Sequence, residues 1–410
     1  MKKSDCSDKV ISDLTVCPFT LSKRPQYFKV YKETESVLRL PRYYGIKTFG
    51  EPSVNKLQEG IKIDVSFSGA LKPELYQDKA SEKTLKQLYD EGGAILSLAC
   101  GYGKTITSLY ILCQLKVKTL VIVHKNVLVK QWKERIGQVI PNATIGHLQQ
   151  DIVDVNKDIV IAMLHSLCNK DYDLTKMGFG FVIVDECHHI SCEYFSQSLF
   201  RICPKYILGL SATPKRKDGL TKVLYWFMNR ISFSIERNQS DKVSVKVINY
   251  ITDIKSCNKS TPLIINDIVE IVERNEIIVN EIRRLLLENR KILVLSDRRE
   301  HCRILQEEIG NEGGLYLGGM KQSQLDENVK NCSVLFATYT LAQEGLDIPI
   351  LDTLILSTPK SDVTQACGRI LRETEGKIND PYIVDIVDDC CYRMFEKRER
   401  FYKKYFHIIK

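Results

Sequence analysis

Two short segments of this 410-residue chain carry residue types and spacings suited to phosphate chemistry. The first is Gly101-Tyr102-Gly103-Lys104-Thr105, which stands after the apolar run Ala94–Leu98 and before residues with helical spacing. Glycines there let backbone N–H groups close around a phosphate, and the N-terminus of a following helix adds partial positive charge. Lys104 would reach the β- and γ-phosphates, and the Thr105 hydroxyl would hold Mg2+. The full phosphate-loop pattern has glycine where this chain has Leu98, so the match is partial. The second segment, Asp185-Glu186-Cys187-His188, follows the apolar run Phe181–Val184. An acidic pair at a strand end near a phosphate loop suits Mg·ATP hydrolysis. Asp185 would bind the metal through water, and Glu186 would orient and deprotonate the attacking water. A zinc cluster of Cys187, His188, His189 and Cys192 is the weaker reading. Zinc-ligand pairs are normally spaced so that the chain can wrap the ion, and no second pair lies nearby.

Both segments need rigid elements to hold them, and the apolar pattern supplies these. Strand-length apolar runs occur at Ala94–Leu98, Thr119–Val123, Asp158–Ala162, Phe181–Val184 and Tyr206–Leu210. Between the first two, Ile106, Leu109, Tyr110 and Cys113 form one helical face. Strands that are apolar throughout and alternate with helices predict a parallel sheet covered on both faces. The pattern restarts at Lys291–Ser296, Gly314–Leu317, Cys332–Ala337, Asp352–Ser357 and Tyr382–Val387, preceded by a helical run through Ile277, Ile278, Ile282, Leu285 and Leu286. A hinge is expected near residues 236–262, although Val243, Val245 and Val247 within it alternate as a strand would. The expected division is an N-terminal region over 1–70, a first domain over 71–240 and a second over 260–410.

Composition narrows the class. No apolar run approaches the roughly 18 residues of a membrane span, and Met1–Val10 is too polar for a signal peptide. With 44% hydrophobic residues in recurring clusters, the chain is expected to be ordered. Its 14 cysteines include no Cys-x-x-Cys pair, which favours reduced thiols and a cytoplasmic or nuclear setting. The net charge of +8 is concentrated at the ends. Residues 1–70 carry 12 Lys and Arg against 8 Asp and Glu, and residues 393–410 carry 7 against 2. Basic ends on a neutral body suit a polyanion such as nucleic acid, or a solvated surface with a basic tail.

With both boxes in place, the chain resembles the superfamily 2 helicases. Ser211-Ala212-Thr213-Pro214 follows the fifth strand, where the family's coupling motif stands. Ala337–Pro349 is similar to the family's motif V, and Gln365–Arg372 fits the Q-x-x-G-R-x-x-R of motif VI. Gln77 stands where the family's adenine-reading glutamine would, and Gln131-Trp132 resembles motif Ia. The segments Leu98–Thr105 and Gly209–Gly219 resemble the XPB-like branch, including helicases of large DNA viruses and phages. Leu40-Pro41-Arg42-Tyr43-Tyr44-Gly45 is similar to a segment before the motor in viral and phage members.

The resemblance implies an α/β fold of two RecA-like parallel-sheet domains in tandem with a small N-terminal accessory region. It implies ATP and Mg2+ as cofactors. Nucleotide contacts would come from Gln77, the loop Leu98, Ala99, Cys100, Gly101, Tyr102, Gly103, Lys104 and Thr105, and Asp185. Gly345 and Asp347 would link motif V to the ribose or to motif VI. Catalysis would rest on Glu186, with Gln365, Arg369 and Arg372 supplied by the second domain. His188, Ser211, Ala212 and Thr213 would couple nucleotide state to the track. The track implied is nucleic acid, with DNA favoured over RNA and a nucleotide-gated clamp as the alternative of another class. Transcription or replication and repair proteins are further implied partners. Two features stay open at this level. Lys23–Lys47 interleaves cations with Tyr27, Phe28, Tyr31, Tyr43 and Tyr44, which suits either base stacking or an aromatic core. Phe395, Tyr402, Tyr405 and Ile409 are read as one packing stripe on a C-terminal helix.

Overall fold

Runs that are apolar at every position form the interior strands of two parallel sheets. The computed structural model describes residues 1, 3, 6–19, 26–190, 193–216, 218–237, 242–254, 259–344, 346, 348–371 and 377–409. The chain divides into two units, Met1–Glu236 and Arg237–Lys410.

The first unit contains an eight-stranded sheet. Its strands are β1 (Gly93–Leu98), β2 (Thr119–Val123), β3 (Ile145–Gln149), β4 (Ile152–Asp154), β5 (Ile159–Met163), β6 (Phe181–Val184), β7 (Tyr206–Ser211) and β8 (Ile231–Ile235). They lie in the order β8-β1-β7-β6-β2-β5-β3-β4, parallel except for the β3–β4 pair. Every residue of β1, β2, β5, β6 and β7 is buried. Alternation along each strand sends successive side chains to opposite faces. Leu96, Val121, Ile161, Ile183 and Leu208 share one core with the helices Gln77–Glu91, Lys104–Leu115 and Asn126–Val139. Ile95, Leu120, Ile122, Val160, Val182 and Ile207 join the other, together with the helix Thr221–Met228. Both faces are therefore covered, as wholly apolar strands require.

Residues before Gln77 build onto this unit. Short antiparallel pairs, Thr15–Val16 with Phe28–Lys29 and Lys32–Glu33 with Leu38–Arg39, precede a helix over Arg42–Phe49. Val10, Leu14, Tyr31, Leu38 and Tyr44 form a small core of their own. Tyr44 seals it against Trp226 in an edge-to-face contact with ring centroids 5.4 Å apart.

The second unit contains a seven-stranded sheet, parallel throughout. Its strands are β9 (Ser244–Tyr250), β10 (Ile292–Ser296), β11 (Gly313–Tyr316), β12 (Val334–Thr338), β13 (Thr353–Leu356), β14 (Tyr382–Asp388) and β15 (His407–Ile409), in the order β11-β12-β10-β13-β14-β9-β15. β9 lies in the stretch expected to be hinge, yet it is paired on both sides, with β14 and β15. The C-terminal helix Tyr392–Tyr405 buries Phe395 and Tyr402. Ile409, expected on the same helical stripe, instead belongs to β15, because the helix ends at Tyr405 and the chain turns into the sheet edge. Arg274 and Asp388 form an ion pair with both side chains fully buried, the guanidinium also donating to Ser357 O at 2.8 Å. Such a pair is costly to split, since either partner alone is a buried charge.

Candidate nucleotide site

The loop Ala99–Gly103 joins the C-terminal end of β1 to the helix Lys104–Leu115. Gly101 and Gly103 have φ of +87° and +77°, the left-handed region that glycine enters without steric cost. A side chain at Gly103 would meet Gln77 directly, since a Cβ there would lie 2.3 Å from Gln77 Nε2. The buried Gln77 amide is fully engaged. Its Nε2 donates to Tyr102 O at 3.1 Å, and its Oε1 accepts from Lys72 N–H at 3.0 Å. The glutamine thus pins the loop from the first turn of the neighbouring helix. Lys104 reaches back across the loop, its Nζ donating to Leu98 O at 3.3 Å. Thr105 follows in the first turn of the helix, half-buried.

Asp185 and Glu186 emerge at the C-terminal end of β6, which one strand, β7, separates from β1. Asp185 is held from two sides. Trp132 Nε1–H donates to Oδ2 at 2.8 Å and Glu186 N–H donates to Oδ1 at 2.9 Å. Burial, then the charge of Glu186, pushes the Asp185 carboxyl up to about 6, while the Trp132 bond and Lys104 oppose the rise. Glu186 has φ of +45°, unusual for a residue with a side chain and a conformation that costs energy. Its buried Oε2 has no hydrogen-bond partner in the structure, with His188 Nδ1 3.3 Å away. Two carboxylates and the Thr105 hydroxyl are hard oxygen donors of the kind Mg2+ takes, and the unsatisfied Oε2 leaves an acceptor for water. These residues fit a Mg2+-bound nucleotide.

His188 connects this pair to the next strand. Its Nδ1 lies 3.1 Å from Ser211 Oγ at the end of β7, and that Oγ accepts Thr213 N–H at 3.1 Å. Ser211 is buried, Ala212 half-buried and Thr213 exposed, so the connection runs outward. Arg216 clamps the same region, donating to His188 O and pairing with Asp218. Cys187 packs in the apolar core, its thiol against Gly209, and burial pushes that thiol well up. Cys192 lies outside the described residues.

Three imidazoles stack beside the acidic pair, with ring centroids 4.2 Å apart for His124 and His189 and 4.4 Å for His188 and His189. Burial, reinforced by neighbouring imidazoles and cations, pushes His124 and His188 down to about 3, so both are neutral. His124 has two buried ring nitrogens without hydrogen-bond partners in the structure. Motif spacing alone passes over His124 and Arg216, and offers His189 only as a zinc ligand. His124 is nonetheless within reach of sequence reasoning: β2 and β6 are neighbours in register, so the residue after β2 stands beside the residues after β6.

In the second unit, Gln365 and Arg369 lie on the helix Thr364–Ile370, and Arg369 Nε donates to Ala342 O at 2.7 Å. Arg372, Gly345 and Asp347 fall outside the described residues. Among the rings of Lys23–Lys47, Phe28, Tyr31, Tyr43 and Tyr44 are buried and serve as core, while Tyr27 is exposed. Tyr43 OH donates to Glu91 O at 3.1 Å. Arg42 donates to Lys205 O at 3.0 Å, so it clamps backbone instead of facing outward. Lys29, Arg39 and Lys47 remain exposed, and Lys23 and Arg24 lie outside the described residues.

Residues 70–216 match the family described as type III restriction enzyme, res subunit, and residues 273–374 match the helicase conserved C-terminal domain. The chain is 34% identical, over 97% of its length and 81% of the relative's, to a putative ATP-dependent RNA helicase of Acanthamoeba polyphaga mimivirus. It is 25% identical, over 69% of its length and 65% of the relative's, to a transcript termination protein of Yaba-like disease virus. Among solved structures, S. cerevisiae Dbp5 bound to RNA and ADP BeF3 shares the fold with a TM-score of 0.57 at 14% identity, covering 83% of this chain and 94% of that one. The chain belongs to the superfamily 2 helicases of large DNA viruses, and is an ATP-hydrolysing helicase.

Proposed function

We propose that this helicase is a DNA-directed motor, coupling ATP hydrolysis to movement on duplex or branched DNA. The observation that carries the coupling is the contact series from Glu186 through His188 to Ser211 and Thr213, which ties the hydrolytic carboxylate to an exposed segment. The resemblance of Gly209–Gly219 to XPB-like translocases favours DNA. The mimivirus relative, a putative ATP-dependent RNA helicase, favours RNA as the second reading.

In this reading the backbone of Gly101–Gly103 and the Lys104 ammonium bind the phosphates, and Gln77 reads the adenine by exchanging its bonds to Tyr102 O and Lys72 N–H for bonds to the base. Thr105 and Asp185 hold Mg2+, which when bound offsets phosphate charge. Glu186 orients the attacking water and receives its proton at the unsatisfied Oε2. Neutral His188 passes the state of Glu186 to Ser211, Ala212 and Thr213. Gln365 helps place the water, Arg369 and Arg372 stabilise charge on the transferred phosphoryl, and Gly345 and Asp347 contact the ribose or motif VI.

Steady-state ATPase assays with duplex DNA, single-stranded DNA and RNA supplied separately test the assignment. DNA should stimulate turnover more than RNA does. Lys104→Ala should lose nucleotide binding, and Glu186→Gln should retain it while turnover falls about 10²–10⁴-fold. Stimulation by RNA alone would replace the track and leave the motor. Near-normal turnover by Glu186→Gln would remove the general base.

A further inference from the structure

A cavity of about 340 Å³ opens on the first unit between the N-terminal hairpin and the segment after β6. Lys32, Cys168, Tyr194, Gln197, Ser198 and Arg201 line it. Its charge is unusual. Lys32 and Arg39 are directly opposed across the antiparallel pair Lys32–Glu33 and Leu38–Arg39, an arrangement in which like charges destabilise a hairpin. Arg201 adds a third cation, and its guanidinium is fixed in place by donation to Leu167 O at 3.2 Å and to Lys170 O. The carboxylate nearest this group, Asp171, lies 3.6 Å from Arg201 on a side chain that is 95% exposed. Glu33, beside Lys32 in the strand, is turned to Lys3. Lys32 itself makes no ion pair with a described carboxylate. Burial, then Arg201 and Arg39, holds its ammonium below the usual lysine value, with Asp171 and Cys168 opposing. Gln197 Nε2 donates to Lys29 O at 2.9 Å and fixes the hairpin against the cavity wall.

We propose that Lys32 and Arg201 on the wall of this cavity, with Arg39 beside Lys32 on the paired strand, bind a backbone phosphate of the nucleic-acid track. Three cations lie close together with Asp171 the carboxylate among the described residues that faces them, a charge balance that an anion would relieve and an apolar or cationic ligand would not. A phosphodiester suits the site because its single negative charge meets Lys32 and Arg201 on the cavity wall, with Arg39 opposite Lys32 on the paired strand. Phosphate contacts of this kind position a strand without reading its sequence. The proposal rests on the nucleic-acid reading above and extends it to a part of the fold outside the nucleotide loop.

The test is the salt dependence of binding, read by fluorescence anisotropy with labelled single-stranded DNA, RNA and duplex DNA. For the Lys32→Gln/Arg39→Gln variant, the slope of log affinity against log salt should flatten by about 0.7 for each single-strand phosphate no longer neutralised, and by about 0.9 for each duplex phosphate. Affinity should fall equally for unrelated sequences, and Lys32→Arg should keep the wild-type slope. The melting temperature of each variant, taken without ligand, separates weakened phosphate binding from a damaged fold. An unchanged slope in a folded variant, with wild-type binding intact, overturns this site alone. Absence of binding by the wild-type chain overturns the nucleic-acid reading and this site together. A Lys32-dependent rise in melting temperature with inorganic phosphate, alongside an unchanged slope, would put a free anion there and overturn the assignment to the track.

Discussion

Replacing Gly103 with alanine tests how the phosphate loop is held. The residue sits at φ +77°, and its missing side chain is the space taken by Gln77 Nε2. Left-handed backbone costs an L-residue about 1–2 kcal/mol. Moving Gln77 aside breaks its bond to Tyr102 O, a further loss of about 0.5–1.5 kcal/mol. In the free Gly103→Ala protein the loop relaxes out of this geometry, and it must regain it to close around a phosphate. The combined penalty of about 1.5–3.5 kcal/mol then appears as roughly 10- to 300-fold weaker ATP binding, at 1.4 kcal/mol per tenfold. A double-mutant cycle separates the two parts. With Gln77→Ala already present the clash is absent, and Gly103→Ala should cost only the backbone strain, about 5- to 30-fold. Isothermal titration calorimetry with ATP on all four proteins reads the cycle. If Gly103→Ala costs the same with and without Gln77, the glutamine does not brace the loop and the reasoning fails.

Two other outcomes follow, the first from the proposed role of Arg369 and the second from the buried imidazoles. Arg369→Ala should lower turnover by about 10³–10⁵-fold with little change in ATP affinity, since a guanidinium acting on the transferred phosphoryl is felt mainly in the transition state; single-turnover rates beside binding titrations decide it, and a loss confined to affinity would move Arg369 out of the chemistry. The first unit should lose stability in acid because His124 and His188 have folded values near 3 against an ordinary 6.5. The unfolded chain binds more protons between those values, so stability falls as pH drops through that window, by up to about 1.4 kcal/mol per pH unit for each imidazole. Asp185, raised to about 6, works in the opposite direction below pH 6. His124→Phe should therefore show a shallower fall of melting temperature from pH 6.5 to 4.5, and parallel curves would mean that His124 is not held neutral.

Strands that are apolar at each position were legible from the chain alone. Thr119–Val123 and Phe181–Val184 coincide with β2 and β6, because a buried parallel strand has no polar position to blur its ends. Edge strands were harder. In β8 the sequence alternates as ISFSI and is only half-buried, and β4 is exposed at all three residues, so neither reads as a core run. The phosphate loop and the acidic pair were visible as local patterns. Their braces were not, since Gln77 to Tyr102 and Trp132 to Asp185 join residues 25 and 53 positions apart. Arg42 decides between two readings that the sequence left open. Its charge and aromatic neighbours resemble a phosphate contact, yet the chain folds its guanidinium onto the Lys205 carbonyl.

The position of β9 has a consequence for how the chain is made. This strand is the first of its unit to leave the ribosome, and both neighbours, β14 and β15, are among the last. At 5–20 residues per second, β9 waits on the order of ten seconds for a partner. Throughout that interval Val245 and Val247 belong to a strand segment whose partners have not been made, and unpaired strands of this kind template association with other nascent chains. The flanking polar stretches, Glu236–Lys242 and Asp253–Pro262, then serve a purpose during synthesis, keeping a short adhesive segment soluble until its neighbours arrive. Codon changes that slow translation between β9 and β14 should thus reduce the yield of soluble protein more than equal delays placed before β9.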